Sequence, residues 1–385
     1  MSNRPIYLDH AAATPLDERV FEVMRPYLID NFYNPSAAYS QGRQVKTDLN
    51  QARHRLAMVI GAKETEVIMT AGATESINLA IHGVMAGQKG SVVIGSTEHA
   101  SVRSVAERFD CRLAVADKFG LVNPDSIKTQ LDDSTRLISL CMADNELGTV
   151  QPIKEIAALV VQVRDDRRRR GVKTPLYLHS DASQAAGLLD LNVARLGVDL
   201  LTLNAAKCYG PKQTGLLFIR TGLELAPLIY GGGQERNLRS GTENVATAFG
   251  FAESLELAEK RRHQTVRRLE TLRQALAASL VGSVDGLEID GHPKKHLPGI
   301  LHISLSGLDA ERVVFGLDDQ GVMVATGAAC AANKGTRSAV LEAIGLPPEQ
   351  ADGSLRISLG RTNTPEQIES AAALIAEVIN RERQL

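Results

Sequence analysis

The sequence predicts an α/β protein, with a mostly parallel sheet covered on both faces by helices and a smaller α+β unit behind it. Two observations predict this. Short apolar runs alternate with stretches of helical periodicity as far as about residue 220, the pattern of successive strand–helix units. After the long polar stretch that follows, the pattern changes to shorter α+β units with period-two strands. The expected division is a large domain over residues 15–255 and a small one over 256–385, joined by residues 1–14.

The elements follow in order. Val45, Leu49, Ala52, Leu56 and Val59 recur at helical spacing and mark one buried face. EVIMT (66–70) reads as a strand, and a helix opens at about Ala73. SVVIGS (91–96), RLISLCMA (136–143), PLYLHS (175–180), LLTLN (200–204) and TGLLFIR (214–220) are further strands. A long polar helix is expected from about Asn244 to Leu280, including EKRRHQTVRRLE. GILHISLSG and SLRISLG then alternate with period two, and a last helix runs from about Pro365 to the end. In SLRISLG, Leu355, Ile357 and Leu359 share one face, and Ser354, Arg356 and Ser358 the other.

Composition excludes several classes. The chain has 385 residues, 44% of them hydrophobic, which is enough for a large core. A net charge of −2 gives no footprint for nucleic acid or a membrane surface. No apolar run approaches the roughly 18 residues that would span a bilayer, and MSNRPIYLDH lacks a signal-peptide core, so a cytoplasmic protein is expected. Cys111, Cys141, Cys208 and Cys330 are widely spaced, which fits neither a zinc site nor a disulfide framework. The basic run Arg167–Arg170 reads as a solvated helix end that complements the helix dipole.

The chemistry lies at the strand ends. Ligands of parallel sheets gather beyond the carboxyl ends of the strands, and five ends here are followed by AGATES, TEH, DNE, DASQ and AAK. They bring Thr74, His99, Asn145, Asp181, Gln184 and Lys207 to one rim. A lysine past one buried strand and a carboxylate past another is what pyridoxal phosphate (PLP) requires: an amine for the aldehyde and an acid for the pyridinium nitrogen. Gly72-Ala73-Thr74 opens a helix after a strand, which suits phosphate, although it is also an ordinary capped helix. Asp181 can equally be a helix N-cap. His99 can stack on a ring and exchange protons, or be a core histidine. Arg356 can clamp a carboxylate bidentately, or be a surface arginine on an edge strand. Cys330, in ATGAACAANKG, suits an exposed loop thiol more than the usual buried cysteine.

Together these residues resemble the cysteine desulfurases of the NifS and IscS type, within the fold-type I PLP enzymes. YLDHAAATP, NPSA (34–37), AGATES, TEH, DNE, DASQ, the lysine with its following YGPK, GGGQERNLRSGTEN, GAAC and SLRISLGR occur in the family's order along almost the whole chain. The resemblance implies that L-cysteine is converted to L-alanine and that its sulfur passes to Cys330 as a persulfide. A protein acceptor would take it on for iron–sulfur clusters or tRNA thiolation. It implies Lys207 as the PLP lysine, His99 on the ring, Asp181 at the ring nitrogen and Gln184 at the ring hydroxyl. Ala73 and Thr74 would hold phosphate, with Thr242 reaching it from the second subunit of a homodimer. Arg356 and Asn34 would hold the substrate carboxylate, and Asn145 would lie beside both cofactor and substrate. Another PLP-dependent lyase on the same scaffold, such as a selenocysteine lyase, is the rival.

Three departures stand out. Asn204-Ala205-Ala206-Lys207 replaces the usual Ser-x-His-Lys, so Ala206 brings no side-chain donor to the phosphate, while Asn204 stands in for the serine through its amide. Ala328 and Ala332 stand where hydroxyls are common. The chain ends at RERQL, before the extension with which the IscS type docks its scaffold protein, which counts against that docking mode.

Overall fold

The computed structural model describes residues 5–327 and 337–384. Along the chain run β1 (Ile6–Tyr7), β2 (Val67–Thr70), β3 (Ser91–Gly95), β4 (Asp110–Ala114), β5 (Thr135–Cys141), β6 (Tyr177–Asp181), β7 (Leu200–Asn204) and β8 (Gly215–Ile219). These are followed by β9 (Glu288–Asp290), β10 (Ile300–Ser304), β11 (Val322–Met323), β12 (Ala325–Thr326) and β13 (Ser354–Ser358). Seven strands form the main sheet in the order β2-β8-β7-β6-β5-β3-β4. All its pairings are parallel except those of β8 with β2 and β7. Crossover helices therefore cover both faces, one of them Ala73–Met85 and another Ile153–Arg170.

A second, four-stranded antiparallel sheet has the order β12-β13-β10-β9. Its one face carries Leu301, Ile303, Leu355 and Ile357 into a separate core, shared with the C-terminal helix Pro365–Glu382. That helix begins with a capping box between Thr364 and Gln367 and a proline at its first turn. β1 pairs with β11, and Leu8 joins this second core, so the first residues pack with the C-terminal unit.

One helix, Val245–Ser283, serves both units. Its first part, through Leu255, packs in the core around the main sheet, and its last part, from Leu269, packs in the second core. The helix thus passes from one core to the other between Leu255 and Leu269. Among the described residues, no helix is long and apolar enough to cross a membrane.

Candidate active site

The carboxyl ends of the main-sheet strands open onto a cleft of about 450 Å³ whose other wall is the small sheet. Each side chain arrives there for a local reason. Gly72 adopts φ +127°, a conformation that only glycine accepts readily, and turns the chain from β2 into the helix Ala73–Met85. A Cβ on Gly215 would lie 2.7 Å from the Gly72 carbonyl carbon, so two glycines allow this close approach. No side chain caps that helix, and its first-turn residues Ala73 and Thr74 line the cleft, so their N–H groups are of the kind that can receive an anion.

His99 N-caps the helix Ala100–Ala106. Its Nδ1 accepts the Ser101 N–H at 3.1 Å, so the proton of the neutral ring sits on Nε2. Burial lowers the His99 pKa below its ordinary value; Asp181 pulls it up and Lys207 pushes it down further. The ring is therefore neutral near neutral pH and suited to lie on an aromatic cofactor. Asp181 ends β6, and its Oδ1 accepts both the Ser183 N–H (3.0 Å) and hydroxyl (2.6 Å). The carboxyl group thus caps a turn and lines the cleft at once.

Lys207 follows β7 through a single 3-10 turn. Its Nζ donates to the carbonyls of Ala11 (2.8 Å) and Ala12 (2.6 Å), and Gln184 Nε2 also donates to Ala11 (3.0 Å). Asn204 Oδ1 accepts the Ala206 N–H at 3.1 Å, which leaves its amide nitrogen as the donor at the cleft.

The small sheet supplies Arg356. β13 lies between β12 and β10, so the arginine is on an inner strand and is 4% exposed, which rules out a surface arginine. Arg356 Nη2 pairs with Asp9 Oδ1 at 2.7 Å, and Nη1 donates to the Asn145 carbonyl at 3.2 Å.

Ala73, Thr74, His99, Asn145, Asp181, Gln184, Asn204, Lys207 and Arg356 all line this cleft. Three expected residues do not. Asn34 is exposed, and its side chain is taken up by the Ser36 N–H (2.8 Å). Ala206 is absent from the cleft lining, and its carbonyl receives the Thr14 hydroxyl. Thr242 lines a different hollow with Thr70, Gln213 and Arg239, so it does not reach the cleft of its own chain. Cys330 lies outside the described residues.

The structure also brings in residues not singled out from sequence. Asp9 belongs to the YLDH motif, but a carboxylate there gave no sign that it would meet an arginine 347 positions away. Glu98, between Thr97 and His99, is fully buried, and its Oε1 accepts the Cys141 N–H at 2.7 Å. Burial pushes its pKa up to about 8, Asp181 and Asp144 add to the rise, and the Cys141 N–H opposes it.

The residues fit PLP. The uncapped helix start, the buried Thr97 hydroxyl that has no partner among the described residues, the Asp181 carboxyl group and the Lys207 amine supply the groups that a phosphate, a pyridinium and an aldehyde need, within one cleft.

Comparison with known proteins decides the family. The class-V aminotransferase family model matches residues 6–370. The chain belongs to the class-V aminotransferases, as one of the NifS- and IscS-type cysteine desulfurases. This family is PLP-dependent. A cysteine desulfurase IscS of Dictyoglomus turgidum is 37% identical over 99% of this chain and 96% of its own length. One from Methanosarcina thermophila is 36% identical over 100% and 94%. Among solved structures, a NifS-like protein superposes with a TM-score of 0.89 at 30% identity, covering 98% of this chain and all of its own. SspA in complex with cysteine gives 0.79 at 31%, covering 92% and 98%.

Proposed function

We propose that this chain is a PLP-dependent cysteine desulfurase that releases L-alanine from L-cysteine and retains the sulfur on Cys330. The observation that carries this is the shared cleft, where Lys207, Asp181 and His99 of the main sheet face Arg356 of the small one. Lys207 Nζ is the amine for the PLP aldehyde, with Asp181 at the ring nitrogen, His99 against the ring and the Ala73–Thr74 helix start at the phosphate. Bound there, PLP supplies an electron sink for the charge released at the substrate Cα.

Arg356 binds the substrate carboxylate and, with Asn145 beside it, orients the Cα–H. Lys207 Nζ is the base that takes and returns the Cα proton. The Cys330 thiolate attacks the substrate sulfur: an S–S bond forms, the C–S bond breaks, and the carbon skeleton takes up a proton and leaves as L-alanine. A protein acceptor then collects the sulfur.

Two features support Cys330. The thiol pKa values of Cys111, Cys141 and Cys208 are all raised by burial, that of Cys208 to about 12, which makes them poor nucleophiles. The chain enters the segment that carries Cys330 from β12, which pairs with the Arg356 strand. It leaves that segment at Ser338, which is hydrogen-bonded to Glu146 beside Asn145.

The working unit is a homodimer in which Thr242 serves the partner's phosphate site. The apolar side chains left exposed by the monomer, such as Phe32 (68%) and Tyr230 (79%), support this.

Mass spectrometry after exposure to L-cysteine should find an added sulfur on Cys330 and none in Cys330→Ser. Lys207→Ala should fold but lack the absorbance of lysine-linked PLP. Sulfur appearing on Cys208 instead, with Cys330→Ser turning over normally, would overturn the assignment.

A further inference from the structure

Beside Arg356, on the same face of the small sheet, lies a buried polar group that the reaction above does not use. His302 of β10 stands directly opposite Arg356 of β13 in the antiparallel register. Facing residues of such a pair have Cβ atoms about 4.5–5.5 Å apart and share one side of the sheet. His302 is fully buried, and its Nδ1 lies 2.8 Å from Asp290 Oδ2, while Asp290 Oδ1 accepts the Ser304 hydroxyl at 3.2 Å. A carboxylate can only accept, so Nδ1 carries the ring's proton and Nε2 presents a lone pair.

Three buried atoms in this place lack a hydrogen-bond partner among the described residues: His302 Nε2, Arg356 Nε and Asp144 Oδ2. Asp144 is 2% exposed, holds the Glu146 and Leu147 N–H groups with its other oxygen, and interacts electrostatically with both His302 and Arg356. On a further side the backbone closes in at Gly327, where a Cβ would lie 2.7 Å from His302 Nε2. One donor and two acceptors remain. A single water accepts one N–H and donates two hydrogens, and buried waters typically make about three bonds of this kind. A buried guanidinium N–H left bare is among the costlier orphans.

We propose that His302, pinned by Asp290, is a positioning residue for Arg356. A water held between Arg356 Nε, His302 Nε2 and Asp144 Oδ2 braces the guanidinium at its Nε edge while its Nη atoms face Asp9, Asn145 and the substrate carboxylate. The inference rests on Arg356 binding that carboxylate, and it adds that His302 sets how well Arg356 does so without touching the substrate.

The test compares L-cysteine with cysteamine, which lacks the carboxylate, by spectral titration of the PLP-loaded dimer and by kinetics. His302→Leu should weaken L-cysteine binding about tenfold and raise KM more than it lowers kcat, with cysteamine affinity unchanged. His302→Gln, whose amide oxygen reaches the position of Nε2, should restore most of the loss. Equal weakening for both ligands, or no rescue by Gln when both variants melt like the parent, would overturn the proposal. Arg356→Lys is the control for the underlying assignment. If it leaves the preference for L-cysteine over cysteamine intact, the carboxylate role of Arg356 fails whatever His302 does.

Discussion

At the scale of single residues, the site is a set of strand ends, and the groups on the rim were the ones most legible in the sequence. Lys207, Asp181 and His99 each follow an apolar run by one to three residues, and in a parallel sheet that position alone sends them to one edge. Residues one layer deeper were hidden. Glu98 sits between two cleft residues, and a glutamate at a strand end reads as solvated; only the packed structure shows it sealed among Cys141, Asp144 and Asp181. Its raised pKa has a stability consequence. Folded Glu98 holds its proton more tightly than the unfolded chain does, so the native state binds more protons between the ordinary carboxyl value of 4.5 and about 8. Stability contributed by this group is therefore present at low pH and declines as pH rises through that window. Glu98→Gln should melt together with the parent at about pH 5 and clearly above it at pH 8, by calorimetry at both pH values. A variant that gains nothing on going to pH 8 would show that Glu98 is ionised in the fold.

At the scale of elements, the turn Glu235–Asn237 carries the strain. Glu235, Arg236 and Asn237 all adopt positive φ (44°, 58° and 63°), a run in which non-glycine residues are disfavoured. The segment holds because Glu235 is clamped: both its oxygens meet Arg53 (2.6 and 2.8 Å), and Oε2 also accepts the Met69 N–H at 2.9 Å. The ion pair is buried, with Glu235 2% and Arg53 11% exposed. Glu235→Gln leaves the Arg53 charge without its partner and should cost about 3 kcal/mol or more in denaturant unfolding, while Glu243→Gln in the same hollow should cost far less. Sequence could not show this device, because a GGGQERN run reads as loop and the clamp joins positions 182 apart. The same limit hid β4, whose DCRLA pattern at the sheet edge alternates too weakly, and the two-residue β1, whose partner lies at the far end of the chain. By contrast, the helices Ala73–Met85 and Pro365–Glu382 begin where glycine, proline and capping residues placed them.

At the scale of the whole molecule, the homodimer proposed above would complete each site from both chains. Thr242 opens onto a separate hollow and the apolar side chains around Phe32 lie bare, both of which a second copy would account for. If Thr242 serves the partner, two inactive variants should rescue each other. Lys207→Ala and Thr242→Asp, co-expressed with different tags and isolated as the mixed dimer, should regain one working site of two, because the intact Lys207 then meets the intact Thr242. A mixed dimer as inactive as its parents would place Thr242 within its own subunit's site. A last consequence belongs to the 39-residue helix Val245–Ser283, which is about 58 Å long. Lys207 and Arg356 sit on opposite jaws of a caliper, and this unbroken rod is its spring. The stretch between Leu255 and Leu269 carries the chain from one jaw to the other, and its Leu257, Ala258 and Arg261 line a hollow shared with Lys207, so its stiffness bears directly on the gap into which a three-carbon amino acid must fit.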